Sequence, residues 1–334
     1  MENNIQVSVF CSAYNHEKYI RQALDGFVMQ KTNFAFEVIV HDDASTDGTA
    51  DIIREYEKKY PEIIKPIYQT ENLQKKGISR LFAFMLPAAR GKYIAICEGD
   101  DYWTDPDKLQ KQFDYMENHS DCSLVAHTAS TYHEDTKKFV PYTTKFDFTV
   151  PENRNVSTAM LISDHLIFPT ASMFYKKEYY IRNRDFVTTI KSYDYVVKIL
   201  LSSQGRVHVL PDNMSVYRKG SDGSWSERIL NNPERFMTHI KESVENLNKI
   251  NEYTDYRFDS EFKVANLNRM FDAYYALSDI KTLKKAPYSD LYKRLSFNKK
   301  AYLYLTRYAP WAASFGRRLY RKIKHKKTEI SENK

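Results

Sequence analysis

Two acidic runs contain residue types that bind cations or accept protons. The run at 41–48 reads HDDASTDG, and the run at 98–101 reads EGDD. Adjacent carboxylates repel each other, and a divalent cation or the donors of a polar ligand offset that repulsion. Ordinary solvated loop acids would explain either run alone. The two runs together predict a site for a cation or a polar ligand.

The first 130 residues alternate short apolar runs with amphipathic stretches, which is the pattern of parallel strands joined by helices. Strands are predicted at 6–11, 36–40, 63–68, 92–97 and 123–127. The two acidic runs follow the second and the fourth strand. Since the carboxyl ends of such strands form the ligand crevice of an open α/β sheet, the acidic runs are expected to converge there.

Further elements are predicted from periodicity and helix signals. One helix is expected over 78–89, bent or ended by Pro87, and another from Asp105 and Pro106 to about Asn118. Beyond residue 130 the pattern loosens. The sequence there predicts a helix near 193–202, a strand near 207–210 and long polar helices from 232 to 286.

Composition excludes several classes of protein. The chain has 334 residues, 42% of them hydrophobic, and is therefore globular. It has 9 Gly and no GxGxxG or GxxxxGK[ST] loop, its 3 Cys form no CxxC pair, and its 9 His show no ligand spacing. The chain start lacks a signal peptide pattern and no apolar run approaches the roughly 20 residues of a membrane span. A soluble or peripherally attached protein of the cytoplasm is expected.

Three motifs resemble the family 2 glycosyltransferases: VSVFCSAYN at 7–15, DDASTDGT at 42–49 and EGDDYWTDPDKL at 98–109. The resemblance is close over residues 5 to about 130 and weaker over 155–226. It implies an α/β GT-A fold, a Rossmann-like mixed sheet flanked by helices, with a helical C-terminal extension. The implied domains are a transferase domain at 1–230, with a nucleotide half to about 130 and an acceptor half after it, a helical extension at 231–290 and a basic amphipathic tail at 291–334.

The resemblance also implies how a nucleotide-sugar donor is held. Ser12 and Tyr14 match the loop that holds the nucleotide, and Asp43 matches the acid that hydrogen-bonds the base. A carboxylate suits the N–H edge of uracil, so a UDP-sugar is the expected donor. Asp42 is expected to shape the loop, although it could take the place of Asp43.

The EGDD run matches the DxD-type acids of the family. Asp100 is implied to lie near the ribose or the sugar, and Asp101 is implied to bind Mn²⁺ or Mg²⁺ as an exposed loop tip. Glu98 stands where the family usually has Asp. The leaving diphosphate must accept negative charge, which a hard cation bound to oxygen ligands stabilises.

An acceptor hydroxyl needs a base, and Asp194 in KSYDYVVK at 191–198 matches the catalytic acid of the family. An acid at a helix start is also a common capping feature. Asp164 and Asp185 are the competing candidates. Downstream, the segment at 216–226 resembles a loop that closes over the donor, in which Arg218 or Lys219 would neutralise diphosphate charge.

The net charge of +7 is concentrated in the tail, since residues 291–334 hold 13 Lys/Arg against Glu329 and Glu332. After Pro310 the tail places apolar residues at every fourth position, and basic residues surround them. The four apolar residues are Trp311, Phe315, Leu319 and Ile323. Such a stripe either packs on the catalytic body or lies on anionic lipid.

The leading function is an inverting, metal-dependent glycosyltransferase that adds one sugar to a glycan or lipid-linked acceptor in cell-surface polysaccharide synthesis. The processive QxxRW signature is absent from the chain, which favours single transfer. Transfer to a polyprenyl phosphate is the first alternative, and a nucleic-acid-binding protein with a basic tail is the second. The leading function needs no nucleic acid and places the protein in the cytoplasm, on the inner face of the membrane.

Overall fold

The computed structural model describes residues 4–143, 145–164, 166–190, 194–221, 229 and 232–309. Within these ranges, the strands are β1 (Ile5–Ala13), β2 (Ala35–Asp42), β3 (Ile64–Tyr68), β4 (Tyr93–Ile96), β5 (Tyr102–Trp103), β6 (Cys122–His133), β7 (Lys138–Pro141), β8 (Asn155–Val156), β9 (Phe174–Lys176) and β10 (Arg206–Lys219). The α-helices are α1 (Ile20–Val28), α2 (Thr49–Lys59), α3 (Leu86–Ala88), α4 (Lys108–Asn118), α5 (Thr158–Ser163), α6 (Lys177–Arg182), α7 (Arg184–Val187), α8 (Asp194–Gln204), α9 (Pro233–Tyr253), α10 (Asp259–Ala276), α11 (Ile280–Leu283), α12 (Ser289–Arg294) and α13 (Phe297–Tyr308).

All ten strands belong to one mixed sheet in the order β3-β2-β1-β4-β9-β6-β10-β5, with β7 paired to β6 and β8 paired to β10. Strands β1 to β4 run parallel to one another, β9 runs antiparallel between β4 and β6, and β6 and β10 are parallel. The carboxyl ends of β1, β2, β4, β6 and β10 therefore meet at one edge. The predicted mixed α/β sheet flanked by helices is confirmed.

The apolar residues that predicted the first strands and helices form the main core. Val7, Val9 and Val38 on β1 and β2 pack with Leu24 and Phe27 of α1. Gly26 lies where α1 crosses β5, and a Cβ there would come within 2.9 Å of the carbonyl oxygen of Trp103. Only glycine allows this close approach.

Two predicted elements differ from the structure. The helix expected over 78–89 is a π-helix at Leu81–Met85 that continues into α3, with Pro87 in its first turn. Strand β10 extends far beyond the predicted 207–210, because it pairs with β6 along most of its length. The five predicted strands of the first 130 residues are confirmed as β1, β2, β3, β4 and β6, and the predicted helices near 193–202 and over 232–286 are confirmed as α8, α9 and α10.

The chain divides into two compact units, Met1–Arg228 with Asn246–Glu261 and Ile229–Glu245 with Phe262–Lys334. The second unit has its own small core of Phe271, Ile280, Leu283 and Leu303. Across the described ranges, the structure contains no helix that combines the length and the apolar character needed to cross a bilayer.

Candidate active site

The loops that follow β1 and β2 are joined by hydrogen bonds at the carboxyl edge of the sheet. The Asn15 backbone N–H donates to Ser45 Oγ at 2.9 Å, and the Thr46 N–H donates to Asn15 Oδ1 at 2.8 Å. Asn15 and Ala44 have φ angles of 55° and 61°. A positive φ is costly for residues other than glycine and persists where surrounding contacts enforce it, as it often does in functional sites. The two loops therefore form one preorganised wall.

Ser12 and Tyr14, the predicted nucleotide residues, lie at the end of β1 beside this wall. The Ser12 carbonyl accepts a hydrogen bond of 3.0 Å from the backbone N–H of Gly99, which ties the EGDD loop to β1. The Ser12 hydroxyl lies 3.8 Å from the sulfur of Met85 in the π-helix. Tyr14 is half-buried, and the Lys75 ammonium lies 5.8 Å from the centre of its ring.

Asp43 is fully buried at the end of β2 and organises the segment after β3. Its carboxylate accepts hydrogen bonds from the backbone N–H groups of Leu73 and Gln74 at 2.8 and 3.2 Å, and its carbonyl accepts one from the Asn72 amide. These donors satisfy the hydrogen-bonding capacity of a side chain that is buried away from water. The predicted contact of Asp43 with the base stays a prediction. Asp42 accepts from the Ser45 hydroxyl at 2.5 Å and so shapes the loop.

Arg80 is a further candidate residue for the site, and no sequence motif indicated it. Its guanidinium lies 3.5 Å from Asp43 Oδ2, and its charge also acts on Glu98, whose pKa it lowers. Arg80 thus lies between the two acidic runs at the carboxyl edge. It belongs to none of the three motifs, and only the chain folding back after β3 brings it there.

The acids of the EGDD run and Asp194 form one cluster of negative charge. Burial, together with the charges of Asp194 and Asp100, raises the pKa of Glu98 to about 8. Burial also raises the pKa of Asp101 well above its usual value, with Asp100 and Glu98 adding to the effect. The raised pKa values show that burial and neighbouring acids disfavour the charged carboxylates, and a cation bound beside them would offset this effect.

Asp101 is not the exposed tip that the sequence predicted, since its side chain is only 4% exposed. The EGDD loop leads directly into β5, which pairs antiparallel with Ser215 and Val216 of β10. This pairing brings the end of β10 over the loop, and the Arg218 backbone N–H donates to Asp101 Oδ1 at 2.8 Å. Asp100 remains half-exposed and accepts a hydrogen bond of 2.9 Å from the Ser221 hydroxyl.

Arg218 is buried in β10, and protein groups occupy the donors of its guanidinium. Nε donates to the Asp100 carbonyl at 2.9 Å, Nη1 to Glu134 at 2.7 Å and Nη2 to Gln22 at 2.5 Å. The rings of Tyr19, Tyr102 and Tyr132 lie 4.8 to 5.5 Å from its central carbon. These contacts position the acidic loop, and the predicted contact of Arg218 with a diphosphate stays a prediction.

Lys219 is the exposed last residue of β10, next to Gly220, whose φ of 81° turns the chain. Because its side chain is exposed at the carboxyl edge, Lys219 could contact an anionic ligand. The remainder of the predicted closing loop, at 222–226, lies outside the described residues.

Asp194 is the first residue of α8 and is exposed at the acidic cluster. Its Oδ2 accepts a hydrogen bond of 3.1 Å from the Thr170 hydroxyl. One turn further along α8, Lys198 is buried, and its ammonium donates to the Phe168 carbonyl at 2.7 Å. Burial lowers the pKa of Lys198 to about 8, while Asp194, Glu98 and Asp164 raise it. Lys198 therefore supports the segment 168–170 that contacts Asp194.

The competing candidates for the base are placed less favourably. Asp164 forms an ion pair of 2.6 Å with Lys145 and accepts from the Leu166 backbone N–H at 2.9 Å. Asp185 is exposed in the first turn of the short helix α7. The charge of Asp194 raises the pKa of Glu98, which places Asp194 beside the EGDD loop.

The carboxylates fit a cation whose coordination shell is completed by a bound ligand. Within the described residues, no three His, Cys, Asp or Glu side chains converge as a ready metal centre. Mg²⁺-type sites at nucleotides commonly use one or two carboxylates together with substrate phosphates. The half-exposed Asp100 and the uncompensated charge around Glu98 fit that arrangement. The predicted lipid-binding stripe after Pro310 lies outside the described residues.

The family model described as "Glycosyl transferase family 2" matches residues 8–182. An uncharacterized protein of Mycobacterium tuberculosis is 36% identical over 222 residues, which is 66% of this chain and 60% of that protein. The matched part thus spans about three fifths of the length of this relative.

Two solved structures share the fold at lower identity. TarS of Staphylococcus aureus, residues 1–349 in complex with UDP, is 18% identical with a TM-score of 0.53, over 89% of this chain and 77% of that chain. The mannosyltransferase PcManGT of Pyrobaculum calidifontis, in complex with GDP-Man and Mn²⁺, is 18% identical with a TM-score of 0.54, over 92% of this chain and 82% of that chain.

Proposed function

Because the chain belongs to glycosyl transferase family 2, we propose that it transfers one sugar from a UDP-sugar to a hydroxyl of a glycan or lipid-linked acceptor, with inversion at the anomeric carbon. One observation carries this proposal. The joined β1 and β2 loops, the EGDD loop and Asp194 converge at one edge of the sheet. The proposed nucleotide site then lies next to the carboxylate that would accept the proton. Transfer of a sugar to a hydroxyl in cell-surface polysaccharide synthesis requires both.

The nucleotide is assigned to the crevice beside Ser12 and Tyr14, with Asp43 at the base. An uncharged uracil presents an N–H that a carboxylate accepts, and the UDP complex of TarS supports this choice of nucleotide. Arg80, which lies between Asp43 and Glu98, has the charge to bind the base edge or the diphosphate. Lys219 is assigned to the diphosphate because its exposed ammonium lies at the same edge.

The cation is assigned to the EGDD loop, with Mn²⁺ or Mg²⁺ as the candidates. When bound, the cation would stabilise the negative charge of the leaving diphosphate. Asp100 is the better placed ligand, since it is half-exposed while Asp101 is buried against the Arg218 backbone. The prediction that Asp101 binds the cation is kept as the competing assignment. Arg218 holds both acids in position, because its backbone N–H donates to the Asp101 carboxylate and its Nε donates to the Asp100 carbonyl.

Asp194 is assigned as the general base. An alcohol has a pKa far above 7, so a carboxylate placed against its proton assists attack on the anomeric carbon. The Thr170 hydroxyl donates to one oxygen of Asp194 and orients the carboxylate. Among the hydrogen bonds of the described residues, the other oxygen has no partner, and it is assigned to the acceptor hydroxyl.

The proposed acceptor and location of the protein rest on the positive charge of the tail. A lipid-linked acceptor at the inner face of the cell membrane suits residues 291–334, with 13 Lys/Arg against two acids. Residues 1–230 are proposed as the transferase domain, with the helices at 231–290 as its extension.

Calorimetric titration of UDP in the presence of Mn²⁺ tests the donor site. Wild-type protein is expected to bind UDP, and Arg80→Met is expected to weaken binding by about 10- to 100-fold, the value of one or two charge-assisted hydrogen bonds. Arg54→Met is the matched control. Arg54 is 57% exposed, and its ion pair within the described residues is with the exposed Asp51. Absence of any nucleotide diphosphate binding by wild-type protein would rule out the proposed function, and equal affinities in all three proteins would remove Arg80 from the site.

A further inference from the structure

Helix α13 presents a row of apolar side chains to the outside of the second unit. Phe297, Tyr304, Leu305 and Tyr308 have exposed fractions of 83%, 39%, 45% and 72%. Each residue of an α-helix advances by about 100°, so these four positions lie within an arc of about 100° on one side. We call these four residues the α13 stripe. Leu303, which is fully buried in the core of the unit, points to the other side.

Positive charge flanks the stripe along one side. From residue 280 to residue 308 the chain holds eight Lys/Arg and one acid, Asp290. On the helical projection, Lys300 and Arg307 flank the stripe along one side, and the exposed Tyr302 lies beyond its other side. Helix α13 itself contains no acidic residue. This surface is therefore complementary in charge to an anionic partner.

The chain that follows α13 continues the same charge. Residues 310–334 begin directly after the helix and hold eight Lys/Arg against two acids. An apolar row with aromatic residues, flanked by cations, is the composition of helices that lie in the plane of a membrane interface. Tyrosine rings suit that interface, because the ring enters the apolar layer while the hydroxyl stays hydrated.

We propose that α13 lies flat on an anionic lipid bilayer, with the α13 stripe entering the headgroup layer and Lys300 and Arg307 at the level of the lipid phosphates. The proposal deepens the lipid-linked acceptor of the proposed function, since such a helix would bring the enzyme to its acceptor. It concerns binding alone, so it is tested without donor or turnover. Failure of binding and failure of transfer are therefore separate results.

Sedimentation of the full-length protein with vesicles tests this assignment. Vesicles of phosphatidylcholine with phosphatidylglycerol are expected to bind the wild-type protein, and pure phosphatidylcholine vesicles to bind it far less. Binding to the anionic vesicles should fall as salt rises, because the attraction is screened. Phe297→Glu is expected to reduce partitioning at least about tenfold, since it removes an inserted ring and adds a charge that the lipid repels.

Val264→Glu is the matched control. Val264 is 57% exposed on α10, outside the α13 stripe, so this variant adds the same charge elsewhere on the same unit. It should bind vesicles like the wild type. Tyr308→Glu, in the last turn, is a second stripe variant in case Phe297→Glu does not fold, and it should also lose binding.

Three results would overturn the proposal. The first is equal binding of the Phe297→Glu, Tyr308→Glu and Val264→Glu variants. The second is equal binding to anionic and uncharged vesicles. The third is a stripe variant that abolishes self-association in analytical ultracentrifugation, or binding to single-stranded RNA, while vesicle binding stays at the wild-type level. That result would assign the stripe to a second copy of the chain or to nucleic acid.

Discussion

Replacing Asp194 with Asn is expected to lower turnover by about 10²- to 10⁴-fold. The amide keeps the size of the side chain and an oxygen that can accept from Thr170, but it cannot take the proton of the acceptor hydroxyl. Donor affinity should hardly change, because the loops at β1 and β2 and the EGDD loop are untouched. Since Asp194 is exposed, folding should survive. The measurement is kcat and KM with a soluble acceptor analogue.

Asp185→Asn is the matched control for this variant. Asp185 is also an exposed acid in the first turn of a helix, and it is not assigned to the site. Its turnover should equal that of wild-type protein. Equal losses of donor affinity and turnover in Asp194→Asn would indicate a binding or structural role instead. Full turnover in Asp194→Asn would point to an acceptor that is already an anion, such as a polyprenyl phosphate.

Replacing Asp100 with Asn is expected to abolish the tightening of UDP binding by Mn²⁺ and to abolish transfer. The side chain of Asp100 is half-exposed beside Glu98. No ion pair of the described residues includes it. An amide is a weaker ligand for a hard cation than a carboxylate. A chelator added to wild-type protein should have the same effect. The measurement is UDP affinity with and without Mn²⁺ by calorimetry.

Asp101→Asn separates the two assignments of the cation. If Asp101 only supports the loop through the Arg218 backbone, the variant should keep Mn²⁺ dependence and lose about 10- to 100-fold in metal affinity. If Asp101 is the ligand, this variant loses the dependence and Asp100→Asn keeps it. Asp51→Asn, at a site 83% exposed on α2, should behave as wild type. Full transfer in EDTA would contradict the cation in either position.

The sequence predicted the part of the fold whose pattern is local. Strands β1, β2, β4 and β6 are buried in the sheet and therefore appear as continuous apolar runs. Strand β5 has two residues and exists only through its pairing with β10. The π-helix at Leu81–Met85 has no distinctive pattern of its own, because a helical periodicity fits it equally well.

Site residues that lie within motifs could be predicted from the sequence. Contacts between residues far apart in the chain could not. Ser12, Asp43, Asp100 and Asp194 were selected from the sequence, and the structure gathers them at one edge of the sheet. The burial of Asp101 depends on Arg218, 117 residues away, so the expectation of an exposed tip was wrong. Arg80 was missed for the same reason, since its distance from Asp43 in sequence is 37 residues and no motif links them.

The most direct test of the central claim is NMR spectroscopy of the reaction with a panel of UDP-sugars and a soluble analogue of a lipid-linked acceptor. For one UDP-sugar, the anomeric signal of the donor should disappear as UDP is released. One new anomeric signal of the opposite configuration should appear in equal amount, because a base on the acceptor hydroxyl directs attack from the face opposite the diphosphate. A product of retained configuration, or no consumption of any nucleotide-sugar by folded protein with Mn²⁺, would contradict the account.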